Sequence, residues 1–190
     1  MKVILIHPGM TAEKQAGSLK GVANMILPLG IGIIAGVLEK EHEVKIIDCV
    51  PEGLGLEELK KRIDEEKPDL IGITATILSY DVALKTAKLL DDYKIVIGGP
   101  HFTSIPEKIM KEECFDFGIV GEGEKIMLEL CNALRDKKDF ENIKGLVYRK
   151  NGNITVNERR ELIKNLDDLP FPALHLYPDL SKYTPMPGGY

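Results

Sequence analysis

Five short clusters hold the residues whose types and spacing could do chemistry: His7-Pro8-Gly9, Asp48, Thr74-Ala75-Thr76, Gly98-Gly99-Pro100-His101 and Gly121-Glu122-Gly123-Glu124. Glycine lets backbone approach a ligand closely, while Thr, His and Glu supply hydrogen-bonding or proton-transfer groups. Each cluster also has a purely structural reading. Gly98-Gly99-Pro100 can serve as a tight strand-to-helix turn. Thr74 and Thr76 can cap the next helix, and Glu124 is a carboxylate of the kind a helix N-terminus favours. His7 reads equally as a satisfied core residue, and His101 as a loop histidine. No cluster is specific alone, so the elements between them decide what they can do together.

Those elements alternate. Aliphatic runs at residues 3–6, 44–47, 70–73, 95–97 and, less regularly, 115–120 are separated by segments with helical periodicity. Leu56, Leu59 and Ile63 form one stripe, Ala83, Leu84, Ala87 and Leu90 a second, and Ile126, Met127, Leu130, Cys131 and Leu134 a third. Continuous aliphatic strands between helices predict a parallel sheet covered on both faces. The expected fold is a doubly wound, flavodoxin-like, five-stranded parallel sheet over residues 1–140, in the order 2-1-3-4-5. All five clusters then follow strand ends, where such sheets bind ligands. After residue 140 the pattern changes. An Asn151-Gly152 pair between short apolar runs predicts a β-hairpin within residues 141–169, packed on the domain's edge. Residues 170–190 carry five of the eleven prolines and read as an extended linker.

Composition narrows the function. Of 190 residues, 44% are hydrophobic and 29% charged, as in ordinary globular domains. A net charge of −5, with no basic stripe, argues against a nucleic-acid partner. Residues 22–38 come nearest to a membrane span, but glycines and a proline punctuate them and Glu39-Lys40-Glu41 closes them, so they read as a buried first helix. No membrane partner is expected, and the chain reads as cytoplasmic. Cys49, Cys114 and Cys131 are too widely spaced for a zinc or iron–sulfur site and read as reduced thiols. A GxGxxG after the first strand, a GxxxxGK[ST] loop and a GxSxG elbow are all absent, as is an aspartate cluster at the first strand end. What remains fits a bulky ligand gripped by backbone, glycine and threonine.

The order of several segments resembles the N-terminal cobalamin-binding domain of cobalamin-dependent radical SAM proteins, a group that includes the anaerobic magnesium-protoporphyrin monomethyl ester cyclase and various methyltransferases. Leu27-Pro28-Leu29-Gly30-Ile31, then Ala35 and Leu38-Glu39, is similar to its PPLGL…A..LE opening helix. Asp48 follows the second strand as it does there, and Asp69-Leu70-Ile71-Gly72-Ile73-Thr74 is similar to its third strand. Gly98-Gly99-Pro100-His101 matches its GGPH turn and Gly121-Glu122-Gly123-Glu124 its GEGE turn. Gly145-Leu146-Val147-Tyr148-Arg149 with Asn151-Gly152 resembles its hairpin, and Asp168-Leu169-Pro170-Phe171-Pro172-Ala173 its linker.

The resemblance implies a cobalamin or related corrinoid across the strand ends. Thr74 and Thr76 would contact its tail or lower ring region, and Gly98 and Gly99 would give close backbone approach. His101, Gly121 and Glu122 would line the mouth where a second domain docks, with Pro8 and Pro100 completing the cofactor-binding set. Ile6-His7-Pro8-Gly9 stands where the mutase-type DxHxxG motif would be, so no protein histidine is expected below cobalt from that loop. The CxxxCxxC motif of the radical SAM domain is absent, which implies a module without its catalytic domain. Iron–sulfur cluster and S-adenosylmethionine would belong to that domain, supplied in cis or in trans, and no activity is expected of the chain alone. Two other readings stay open. One is a non-catalytic interaction module with an empty crevice that docks a radical SAM partner. The other is a small enzyme using His7, His101 and Glu122 as acid–base groups.

Overall fold

The computed structural model describes residues 1–9, 26–150 and 152–183. Five parallel strands form where the aliphatic runs stand: β1 (Lys2–His7), β2 (Glu43–Asp48), β3 (Leu70–Thr74), β4 (Ile95–Gly98) and β5 (Phe117–Ile119). Their side chains alternate between two cores, as a strand's period of two requires. Val3, Leu5, Leu70 and Val96 face α1 (Leu29–Leu38) and α7 (Gly123–Asp136). Ile4, Ile6, Ile71, Ile73, Ile95 and Ile97 face α3 (Leu56–Glu66), α4 (Tyr80–Leu89) and the short helices α5 (Pro100–Ser104) and α6 (Pro106–Ile109). One further helical turn, α2 (Cys49–Glu52), follows β2 and is capped by Asp48. The chain leaves β1 in one direction to β2 and returns to place β3 on the other side of β1. That reversal opens a crevice above the carboxyl ends of β1 and β3.

The sheet is larger than the five strands expected. It has seven, in the order β2-β1-β3-β4-β5-β6-β7, with β6 (Leu146–Lys150) and β7 (Asn153–Val156) joined antiparallel at the β5 edge. The hairpin therefore continues the sheet. Leu146 and Tyr148 lie in one core and Val147 in the other, so β6 buries both faces only by pairing with β5. Gly152 adopts φ +79°, as a tight hairpin turn demands, while Asn151 lies outside the described residues. Residues 22–25 of the expected first helix lie outside them too, and so does the 184–190 end of the expected linker.

Residues 170–183 pack down as a strap across α1. Gly32 and Gly36 stand one turn apart on α1 and leave a shallow groove. A Cβ on Gly36 would lie 2.8 Å from the Phe171 carbonyl oxygen, and one on Gly32 would lie 2.9 Å from the Tyr177 hydroxyl. Ala173 N–H donates to the Gly32 carbonyl at 2.9 Å, and Tyr177 O–H donates to the Pro28 carbonyl at 2.7 Å. The segment is not extended throughout, as the prolines led one to expect: 3-10 turns at Leu174–Leu176 and Leu180–Lys182 interrupt it, and the two glycines give it a seat.

At the amino end of the sheet, Glu66 receives Lys2 at 2.6 Å and Lys45 at 2.5 Å. Its hydrogen bonds with Lys2 and then Lys45 pull its carboxyl down to about 2, from the usual 4.5. A depressed carboxyl stabilises the fold above its unfolded value and loses that contribution as pH falls through its folded one. Solvent screening keeps the amount under about 1 kcal/mol. Glu66→Gln should therefore lower the melting temperature slightly at pH 6. Thermal scans at descending pH should show the gap close between about pH 4.5 and pH 2.

Candidate functional site

A cavity of about 380 Å³ opens at the strand ends and descends between the sheet and the helices α1 and α7. Its depth is apolar: Leu5, Gly72, Val96 and Ile119 from the strands, Met127 from α7, and Ile31 and Ile34 from α1. Its mouth carries His7, Thr74, Thr76, Ser79, Gly98, Gly99, Gly121, Glu122 and Glu124. An apolar slot with a few polar groups at the rim is the usual form of a small-molecule site.

The expected residues divide. Thr74, Thr76, Gly98, Gly99, Pro100, Gly121 and Glu122 all line this cavity. Pro8 is buried beside it and does not reach it. His101 turns away and packs its ring on Tyr80, with centroids 4.8 Å apart. Several of the lining residues also have structural work. Thr76 and Ser79 close the turn before α4 reciprocally, without capping the helix itself: Thr76 N–H donates to Ser79 Oγ at 2.9 Å, and Ser79 N–H to Thr76 Oγ1 at 3.3 Å. Glu122 Oε2 accepts from Ile163 N–H at 2.6 Å and so ties the segment after β7 to the mouth. Gly121 N–H donates to Thr103 Oγ1 at 3.0 Å.

Glycines shape the site in two ways. Gly99, at φ +101°, holds the turn itself: a Cβ there would meet the Ala75 carbonyl oxygen at 2.7 Å and Thr74 Oγ1 at 3.0 Å. Gly98 and Gly30 shape the empty space. A Cβ on Gly98 would come no nearer than 4.0 Å to Ile119, and one on Gly30 would meet nothing within 4 Å. Both glycines border the cavity and put no side chain beside it.

One wall escaped the strand-end reasoning. Pro28, Leu29, Gly30, Ile31 and Ile34 reach the cavity from the start of α1, a helix that a reading of turns does not inspect. The signal was present in the Pro28-Leu29-Gly30 segment that opens the helix. Ser79 and Glu124 were also outside the expected set.

Two charged networks frame the mouth. His7 Nδ1 lies 2.9 Å from Asp48 Oδ1, and Asp48, only 1% exposed, also accepts from Tyr183 O–H at 2.9 Å and Val50 N–H at 3.3 Å. Tyr183 belongs to the strap, so its hydroxyl links the strap to β2 and β1. On the opposite wall, burial raises the Glu124 carboxyl above the usual carboxylate range, and neighbouring Glu122 adds to this. The thiols take no part. Burial pushes Cys49 and Cys131 up to about 12, and neither borders the cavity. Among the described residues, no cluster of His, Cys, Asp and Glu could hold a metal ion, and no helix is long and apolar enough to cross a membrane.

Comparison with known proteins places this architecture. The chain is 36% identical over 188 residues to an uncharacterised methyltransferase of Pyrococcus horikoshii, covering 96% of this chain and 40% of that protein. It is 29% identical to the anaerobic magnesium-protoporphyrin IX monomethyl ester cyclase of Rubrivivax gelatinosus, covering 88% of this chain and 31% of the cyclase. The chain thus spans well under half the length of these relatives. Among solved structures, the cobalamin-dependent S-adenosylmethionine radical enzyme OxsB with aqua-cobalamin bound superposes with a TM-score of 0.77 at 20% identity, over 91% of this chain and 24% of that one. The tryptophan-bound radical S-adenosylmethionine methyltransferase TsrM of Kitasatospora setae superposes at 0.69 and 21% identity, over 83% and 30%. At such identities the superpositions establish the fold. The family model described as B12 binding domain matches residues 19–131, more than half of the sequence, and the chain belongs to that family.

Proposed function

We propose that the chain is the cobalamin-binding module of a radical SAM enzyme, a methyltransferase or a cyclase. The observation that carries this reading is the apolar slot at the strand ends, bordered by Gly98 and Gly30, which put no side chain beside it. A cavity of about 380 Å³ admits a heteroaromatic base and its sugar but not a whole corrinoid. The residues present fit a ligand with a slender tail and a broad head. Leu5, Gly72, Val96, Ile119 and Met127 would enclose the base of the tail, burying its apolar faces. Thr74 and Ser79 would offer hydroxyls at the rim, and Gly98, Gly99, Pro100, Gly121 and Glu122 would border the ring. Pro8 and His101 would support neighbouring turns without contact. Methyl or electron transfer is the chemistry a corrinoid supplies when bound, and the protein's share is orientation and exclusion of water.

In this reading residues 1–140 are the binding unit and 141–169 extend its sheet. The strap leads toward a radical SAM domain, in cis or in trans, which would hold the iron–sulfur cluster and S-adenosylmethionine. A cytoplasmic setting suits that chemistry.

Reconstitution with hydroxocobalamin tests the reading. After desalting, the protein should retain the corrin absorption bands. At a free concentration of a hundred times Kd, binding adds about 2.7 kcal/mol to stability, which should raise the melting temperature by roughly 5–10 °C. A colourless protein with an unmoved melting temperature overturns the proposal and leaves the empty-crevice interaction module.

A further inference from the structure

Along its strands the cavity changes character within one step. Leu5, Gly72 and Val96 stand side by side in the register of β1, β3 and β4, and two residues further on come His7, Thr74 and Gly98. Two residues advance a strand by about 6.6 Å, so the strand-end row and the row beneath it form two levels. The polar side chains that border the cavity are His7, Thr74, Thr76, Ser79, Glu122 and Glu124. All belong to the upper level, to the turns beyond it or to the start of α7. Glu124 Oε2 is sealed from solvent, so that atom offers the cavity no acceptor.

The lower level is hydrocarbon. Leu5 and Val96 flank Gly72, and Met127 from α7 with Ile31 and Ile34 from α1 line the helix side. A Cβ on Gly72 would lie 2.8 Å from Leu5 Cδ2 and 3.4 Å from Met127 Cε, so these two side chains close over the glycine. The backbone is not free to compensate. β1, β3 and β4 each pair on both sides, and their N–H and C=O groups are taken up in the ladder. Among the described residues the lower level therefore has no hydrogen-bonding side chain to give. A hydrocarbon-lined slot does not hold ordered water that would supply one either.

We infer that this lower level selects among corrinoids by the base of their tail, accepting a benzimidazole and discriminating against a purine. The inference rests on the cobalamin reading, in which the slot takes the tail, and adds to it the class of corrinoid taken. The base hangs from its ribose, so the edge remote from the sugar goes deepest. In 5,6-dimethylbenzimidazole that edge carries two methyl groups and no heteroatom. In adenine it carries an exocyclic amine and ring nitrogens, which would give up water here and gain no partner. Burying one such group unpaired weakens binding by about 10- to 100-fold. Leu5, Val96 and Met127 are the specificity-determining residues, and Gly72 makes room for two of them.

The test uses the full chain and three ligands: cobalamin, its adenine-tailed counterpart, and cobinamide, which has no base. All are reduced to the cob(II) state, in which the base is only loosely held. A base must leave cobalt before it enters the slot, and benzimidazole, the stronger base, holds cobalt more firmly than adenine does. Acid titration of each free corrinoid and its free nucleoside gives the fraction with its base released, and dissociation constants are compared after correction by that fraction. Wild type should bind cobalamin at least about 10-fold more tightly than the adenine-tailed corrinoid, and more tightly than cobinamide.

Two variants trace the selection to the lower level. Val96→Thr and Met127→Gln each place one polar group there, and at least one of them should narrow the gap between the two tailed corrinoids by about 5-fold or more. The free ligands are the same throughout, so that change owes nothing to release from cobalt. Equal corrected affinities of wild type for the two tailed corrinoids overturn the selection while leaving the cobalamin reading in place. So does cobinamide binding as tightly as cobalamin, or a gap unmoved in both variants. A wild-type protein that binds no hydroxocobalamin overturns both.

Discussion

Gly98→Val should leave the fold intact and weaken hydroxocobalamin binding by at least 100-fold, the equivalent of about 2.7 kcal/mol. Gly98 ends β4 with φ in the ordinary negative range and pairs with Thr74 across the ladder. A strand position accepts valine readily. The nearest atom to a new Cβ is 4.0 Å away, so the Cβ itself is accommodated, and Gly98 borders the cavity that the branched side chain would then narrow. The volume it takes is the volume proposed for the tail. Gly98→Ala should give an intermediate loss, because it adds one methyl in place of three carbons. The neighbouring glycine makes the contrast. Gly99→Ala adds a Cβ at φ +101° against the Ala75 carbonyl oxygen and should cost about 2 kcal/mol of stability before any question of binding arises. Equilibrium titration beside thermal unfolding separates the two. Wild-type affinity in Gly98→Val would show that the slot is not where the cofactor enters.

This contrast bears on what a sequence can tell. The adjacent glycines of one turn look alike in the chain, yet one holds the backbone and the other faces open space at the cavity. The strands were legible because burial on both faces forces unbroken aliphatic runs such as residues 3–6, and the rule about strand ends then located the turns. The hairpin was legible as a hairpin. That it extends the sheet depends on the free edge of β5, a long-range pairing with no local mark. The α1 wall was hidden for a similar reason: Ile31 and Ile34 belong to the stripe of a packed helix, and nothing in their spacing says that the stripe ends in a cavity. His101 shows the opposite error. It follows a strand end as expected, but Tyr80 lies close enough to take its ring. Glu122 and Thr76 border the cavity and also accept hydrogen bonds from backbone N–H groups, so bordering the cavity and holding the local structure are compatible in both.

Gly36→Val should unseat the strap, and this is the largest change in stability expected of a single substitution near the site. The Cβ position of Gly36 lies 2.8 Å from the Phe171 carbonyl oxygen and 3.3 Å from Pro170 Cγ. A backbone atom and a proline ring cannot yield as a flexible side chain can. Lifting the strap exposes Ala173 and Tyr177, which are 3% and 6% exposed in place, and breaks the hydrogen bonds to Gly32 and Pro28. Loss of tyrosine burial with one hydrogen bond amounts to about 3 kcal/mol. Because residues 170–183 lie outside the sheet, circular dichroism should change little, while limited proteolysis should cut this segment much faster than in wild type. The consequence for the site follows from two hydroxyls. Tyr177 holds the carbonyl of Pro28 at the start of the α1 wall, and Tyr183 holds Asp48 behind His7. Both walls of the mouth are thus braced by residues 170–183, and Gly36→Val should weaken hydroxocobalamin binding although Gly36 does not border the cavity. Tyr177→Phe removes one brace and keeps the packing, so it should give a smaller loss of affinity with the strap still protected from protease. If Gly36→Val frees the strap and affinity stays at the wild-type level, the strap is a packing element with no hold on the site.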